Sequence, residues 1–196
     1  MRWSPLLLIC AIGLCGCNNS SSRSTEAAQE DALNELRDGL KAENEQARFN
    51  AAWAIGNMGL EAQSLVPDLS AVLRNDSSVA VRTMAAQSLA HIDPKGEQCI
   101  QALGSALAED ESPQVLEKVA ESLAKIGPPA APTVSTLIPL LRHPDAKVRL
   151  QVCKALGSIG AASEKALEAL SFVAEQDIDD AVSAAASEAV KRILTQ

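Results

Sequence analysis

Aromatic residues are nearly absent from this sequence, whose 196 residues hold two Trp, two Phe and no Tyr. Strands draw on aromatic and β-branched side chains, so this scarcity argues for helices built on Ala and Leu. Histidine is equally scarce: His91 and His143 fall in different segments. Two scattered imidazoles do not make a zinc site, and no metal or other cofactor is expected. Basic residues are outnumbered too. A formal net charge of −8 speaks against nucleic-acid binding, which needs a basic, phosphate-contacting surface. The chain also lacks a glycine-rich phosphate loop and any nucleophile with an orienting base, so no catalytic set is read from it.

Long apolar runs are lacking as well. Leu6–Leu14 falls short of the roughly 20 residues that a spanning helix requires. With Arg2 before it and small residues after it, the run reads as a cleaved leader. Leu14-Cys15-Gly16-Cys17 resembles the lipobox of bacterial lipoproteins. That resemblance implies a signal peptide over residues 1–16, acylation of Cys17, and a lipid-anchored protein of the bacterial envelope. Residues 17–29 are small and polar without periodicity, and are expected to form a flexible tether.

From residue 30 onward a pattern recurs. Ala47, Val81, Val115, Val148 and Val182 are spaced by 34, 34, 33 and 34 residues. Each opens an apolar series at intervals of three and four, as in Val81, Ala85, Leu89 and Ile92 or Val148, Val152, Leu156 and Ile159. Those intervals mark one face of an amphipathic helix. A second, shorter series precedes each, for example Val66, Leu69 and Leu73 or Ile100, Leu103 and Leu107. Asp76-Ser77-Ser78, Glu111-Ser112-Pro113 and Pro144-Asp145 stand between the two, where caps and turns belong. Gly59, Gly127 and Gly160 follow the second series, where a left-handed residue ends a helix. Five helix pairs at a fixed period predict a solenoid.

Asp145-Ala146-Lys147-Val148-Arg149, with Ala155-Leu156-Gly157-Ser158-Ile159-Gly160 behind it, resembles a HEAT repeat of the short bacterial type, also seen in phycobilisome-lyase-like proteins. The resemblance covers residues 30–194, within a repeat domain expected over 30–196, and implies an all-α, right-handed solenoid. It also implies a polar ladder between neighbouring repeats, carried by Arg48, Arg82 and Arg149 with Asp76 and Asp145. Leu116 and Ser183 stand where Arg is expected, so the ladder should break in the third and fifth repeats. The paired His-Glu dipeptides of HEAT-type metal hydroxylases do not occur.

Two cysteines remain past the leader. Cys153 aligns with Ala52, Ala86, Ala120 and Ser187, which reads as a small buried position between helices. Cys99 opens the first helix of the third repeat. The acidic groups Glu109-Asp110-Glu111 and Asp177–Asp180 read as a solvated rim.

By resemblance to HEAT arrays, the second helices line the concave face. Helical register places Phe49, Trp53, Gln87, Glu121 and Lys154 along its exposed stripe, and these are the candidate partner contacts. Phe49 and Trp53 could instead cover the open end of the first repeat. The function expected is non-enzymatic protein binding or scaffolding, with a protein partner, a membrane reached through lipid, and no nucleic acid. An accessory factor akin to the phycobilin lyases and a self-associating spacer stay open as alternatives.

Overall fold

The computed structural model describes residues 19–195. These contain α-helices and short 3-10 segments and no strand. The chain divides into two compact units, residues 1–32 and 33–196. The described part of the first belongs to helix α1 (Asn19–Gly39). The tether expected over 17–29 is thus helical from Asn19 onward. Glu26, Ala27, Ala28, Gln29 and Glu30 are strong helix formers with no Pro or Gly among them, so they carry the helix toward the N-terminus. Cys17 and the leader lie outside the described residues.

The second unit continues with α2 (Glu45–Met58), α3 (Val66–Asn75), α4 (Val79–Ile92), α5 (Glu97–Glu109), α6 (Pro113–Ile126), α7 (Val134–Leu140), α8 (Ala146–Ile159), α9 (Leu167–Gln176) and α10 (Asp180–Thr195). The even-numbered helices stack in chain order, α2 on α4, α4 on α6, α6 on α8 and α8 on α10. The odd-numbered helices form a second layer, with α3, α7 and α9 each packed on the helix that follows. This is an α-solenoid.

Local chemistry sets the element bounds. Asn44, Ser78 and Asp145 cap α2, α4 and α8, each side chain accepting a bond from a backbone N–H of the first turn. Gly59, Gly127 and Gly160 end α2, α6 and α8 with φ of 59°, 72° and 76°, a region where a Cβ is strained. A 3-10 segment then leads into the next repeat.

The core follows the period. Ile55, Leu89, Leu123 and Leu156 on the even helices face Leu69, Leu103, Leu137 and Leu170 on the odd ones, and all eight are fully buried. One continuous apolar cluster joins the repeats. The even helices come very close where side chains are small. A Cβ at Gly56 would lie 2.8 Å from Ser88 Cβ, and one at Gly157 only 2.9 Å from Ala189 Cα. Near Gly56, the buried Ser88 hydroxyl donates to the Ala52 carbonyl at 2.8 Å and ties α4 to α2.

Candidate protein-binding surface

The outer positions of the even helices form a face on which no stripe position is buried. Trp53 is 54% exposed although it is a large aromatic residue. Phe49, Gln87 and Glu121 are partly covered, and Lys154 is exposed. Trp53, Gln87, Glu121, Lys154 and Glu188 hold the same register position on α2, α4, α6, α8 and α10, so they form one row across the stack. The structure therefore brings the expected contact residues onto one face.

The two ends of this face differ in chemistry. Around α2 and α4, Phe49, Val79, Ala80, Thr83 and Met84 line a shallow apolar groove. Across α6, α8 and α10 runs a groove floored by Cys153, Gly157 and Ala189 and edged by Glu121, Lys125, Lys154, Glu188 and Arg192. Lys118 and Lys125 bind Glu121 at 2.6 and 2.7 Å and hold its carboxyl below the usual range. Arg192 binds Glu188 at 3.1 Å. Lys154 has no ion pair among the described residues.

A separate set of charges ties repeat to repeat. Arg48 donates Nε to Asp76 Oδ2 at 2.6 Å and Nη2 to Oδ1 at 2.9 Å. Arg82 does the same to Asp110 at 2.6 and 3.1 Å, and Arg149 to Asp177 at 2.7 and 2.8 Å. Each bidentate pair spans 28 residues. Each Arg also donates to a carbonyl of its own turn, that of Ala42, Asp76 or His143. Each Asp accepts the N–H two residues on, at Ser78, Ser112 or Asp179. Burial raises the Asp76 carboxyl, but the bonds from Arg48 and Ser78 outweigh it and hold it below the usual range. The bond from Arg149 does the same for Asp177.

This geometry corrects two assignments. Asp145 is not a rung: its carboxylate caps α8 by accepting from Lys147 N at 2.8 Å. Asp110 and Asp177, read above as solvated rim, are rungs beside Asp76. The signal was available in the constant Arg-to-Asp separation, but it was hidden because both aspartates sit in acidic clusters. At the third-to-fourth junction Leu116 is buried and His143 holds the turn position of the missing Asp, its Nδ1 accepting from Asp145 N at 3.0 Å. In the fifth repeat the Ser183 hydroxyl donates to the Ala174 carbonyl.

No cluster of three or more metal-ligating side chains occurs among the described residues. His91 lies exposed in the last turn of α4. Cys99 and Cys153 are buried free thiols, which burial pushes up to about 11 and about 12. Thiols this protonated are poor nucleophiles. Sequence reasoning also missed exposed Phe172 and Ile178, which border a groove between α7 and α9 on the other layer.

The family model for HEAT repeats matches residues 66–134 and 100–191, together well over half of the chain. The chain belongs to the HEAT repeat family. Solved structures agree on the fold of this HEAT protein. A designed armadillo repeat protein in complex with the peptide (KR)4 is 24% identical, with a TM-score of 0.60 over 91% of this chain and 87% of that one. The complex of CpcE and CpcF of phycocyanin lyase from Nostoc sp. PCC7120 is 20% identical, with a TM-score of 0.62 over 82% and 98%. Human deoxyhypusine hydroxylase in complex with glycerol is 19% identical, with a TM-score of 0.55 over 91% and 82%. Identities this low carry the architecture alone. No curated protein matches the sequence.

Proposed function

We propose that this HEAT protein is a non-enzymatic binding module that holds a protein partner on the face of its even-numbered helices. The observation that carries the reading is Trp53, a half-exposed aromatic in a row whose other members are also accessible. Aromatics concentrate interface energy, and this one stands in line with the accessible side chains of the neighbouring repeats. The stacked repeats supply a rigid surface, so little ordering cost falls on this side of a complex. The peptide carried by the designed armadillo relative is consistent with such a use of a helical stack.

The module would be fixed to the bacterial envelope through acylated Cys17. This part rests on Leu14-Cys15-Gly16-Cys17. No helix among the described residues is long and apolar enough to cross a membrane. Replacing Cys17 with Ser should release the protein from the membrane fraction, and retention there would refute the anchor.

Photo-crosslinking from positions 53, 87 and 154 in a bacterial host tests the binding face. A discrete protein crosslinked from all three is expected. Crosslinks only to further copies of the chain would replace this reading with self-association. Crosslinks from position 172 but not from these three would move the site to the other layer.

A further inference from the structure

The two ends of the even-helix face differ enough to specify the partner's chemistry, and the following rests on the reading just proposed. At the α2–α4 end the accessible groups include four large apolar ones, Trp53, Phe49, Val79 and Met84, with Thr83 and Gln114 beside them. At the α6–α10 end the groove's acids are already engaged, Glu121 by two lysines and Glu188 by Arg192. Lys154, in the middle of that groove on α8, has no carboxylate partner among the described residues. On a chain of net charge −8 this is a local excess of positive charge, and it faces outward. Between the two ends stands Gln87, partly accessible and able to donate to and accept from a backbone amide.

The floor of the charged groove, Cys153, Gly157 and Ala189, offers Lys154 no carboxylate. Gly157 sits so tightly against Ala189 that an added Cβ would come within 3.0 Å of the Ala189 Cβ. Lys154 is exposed and hydrated in the free chain, so a counter-charge on it comes with a bound partner.

Trp53 and Lys154 occupy the same register position three helices apart. At about 9 Å per packed helix they stand roughly 27 Å apart. An extended chain at about 3.3 Å per residue covers that distance in roughly eight residues. We infer that the partner presents an extended acidic segment, with a carboxylate on Lys154 and an apolar side chain roughly eight residues away on Trp53.

Short synthetic peptides, titrated against the whole chain by fluorescence anisotropy, test this. One carries Phe and an Asp-Glu-Asp run spaced by roughly eight residues, a second replaces the acids with Lys-Arg-Lys, and a third has roughly half the spacing. The first should bind, with affinity falling as salt is raised. Lys154→Glu should weaken it about tenfold, whereas Lys95→Glu, which makes the same charge change on a distant turn, should not. Trp53→Ala should also weaken it, and the third peptide should lose the gain from having both anchors. Equal binding of the basic peptide, or no change with Lys154→Glu, overturns the inference. A partner crosslinked on this face through a segment without acids defeats it while leaving the binding function standing. No crosslink on this face defeats both.

Discussion

Ser163 carries a hydroxyl that is fully buried and finds no hydrogen-bond partner among the described residues. The matching positions after Gly59 and Gly127 are Ala62 and Ala130, both fully buried. The repeat thus shows what fits there: a methyl group without a polar atom. Burying an unsatisfied hydroxyl costs about 1–3 kcal/mol against an apolar side chain of similar size. Ser163→Ala should therefore raise stability by about 1 kcal/mol, seen as a higher urea midpoint at unchanged slope. A lower midpoint would mean that the hydroxyl has a partner. Single residues were the least legible level of the sequence. Trp53, Gln87 and Lys154 could be placed because helical register alone sets which side of an even helix meets water. Asp145 and Asp110 could not be told apart by register. Both lie in turns, and only the direction in which Arg82 reaches, into the following repeat, separates a cap from a rung.

Between elements the ladder decides the argument. Asp177 is bound twice by Arg149, and both side chains are largely shielded. Its carboxyl is held below the ordinary value of 3.8. A carboxyl depressed in the folded state adds stability above the unfolded pKa and loses it as pH falls through the folded one. Asp177→Asn should thus cost about 2 kcal/mol at pH 7, less than a fully buried pair because the rung's edge meets water. The gap to the parent should close below about pH 4. Urea midpoints across pH 2–7 would show it, and a gap of constant size would count against the pair. The same logic applies where the ladder is interrupted. Leu116→Arg alone buries an unpaired charge and should cost about 2–3 kcal/mol. Adding His143→Asp supplies the missing acid at the register of Asp76, Asp110 and Asp177. The double variant should recover about 1–2 kcal/mol of coupling in a double-mutant cycle. Additive effects would show that this junction lacks room for a rung. The interruption itself was legible, since Leu116 departs from the Arg pattern, but the matching loss at His143 was not. An imidazole does not announce itself as a turn acceptor until its Nδ1 is seen at Asp145 N.

For the whole molecule, the question is whether the interrupted rung divides the stack. Stability in a solenoid is roughly a sum of repeat terms and nearest-neighbour interfaces, so one weak interface lets the two sides unfold apart. The architecture was legible because it depends only on the period of Val81, Val115, Val148 and Val182, which needs no long-range information. Coupling strength was not, because it depends on how closely the helices approach. At the junction concerned Leu116 is only 3% exposed, and α6 packs closely on α8. Apolar burial of a Leu contributes about 1.5–3 kcal/mol, comparable to or larger than a rung that solvent can reach. The core also runs through the junction without a gap, from Leu123 to Leu156. The second unit should accordingly unfold as one body. With Trp3 replaced by Phe, Trp53 fluorescence reports the first repeat, and a Trp at exposed position 172 (Phe172→Trp, in a Trp53→Phe background) reports the fifth. Their urea midpoints should coincide with each other and with the loss of helical circular dichroism. If the fifth-repeat signal moved first while Trp53 held, the junction would be a break point. The acidic segment inferred above would then have to bridge two bodies able to part, and its affinity for the intact face would fall as denaturant separated them.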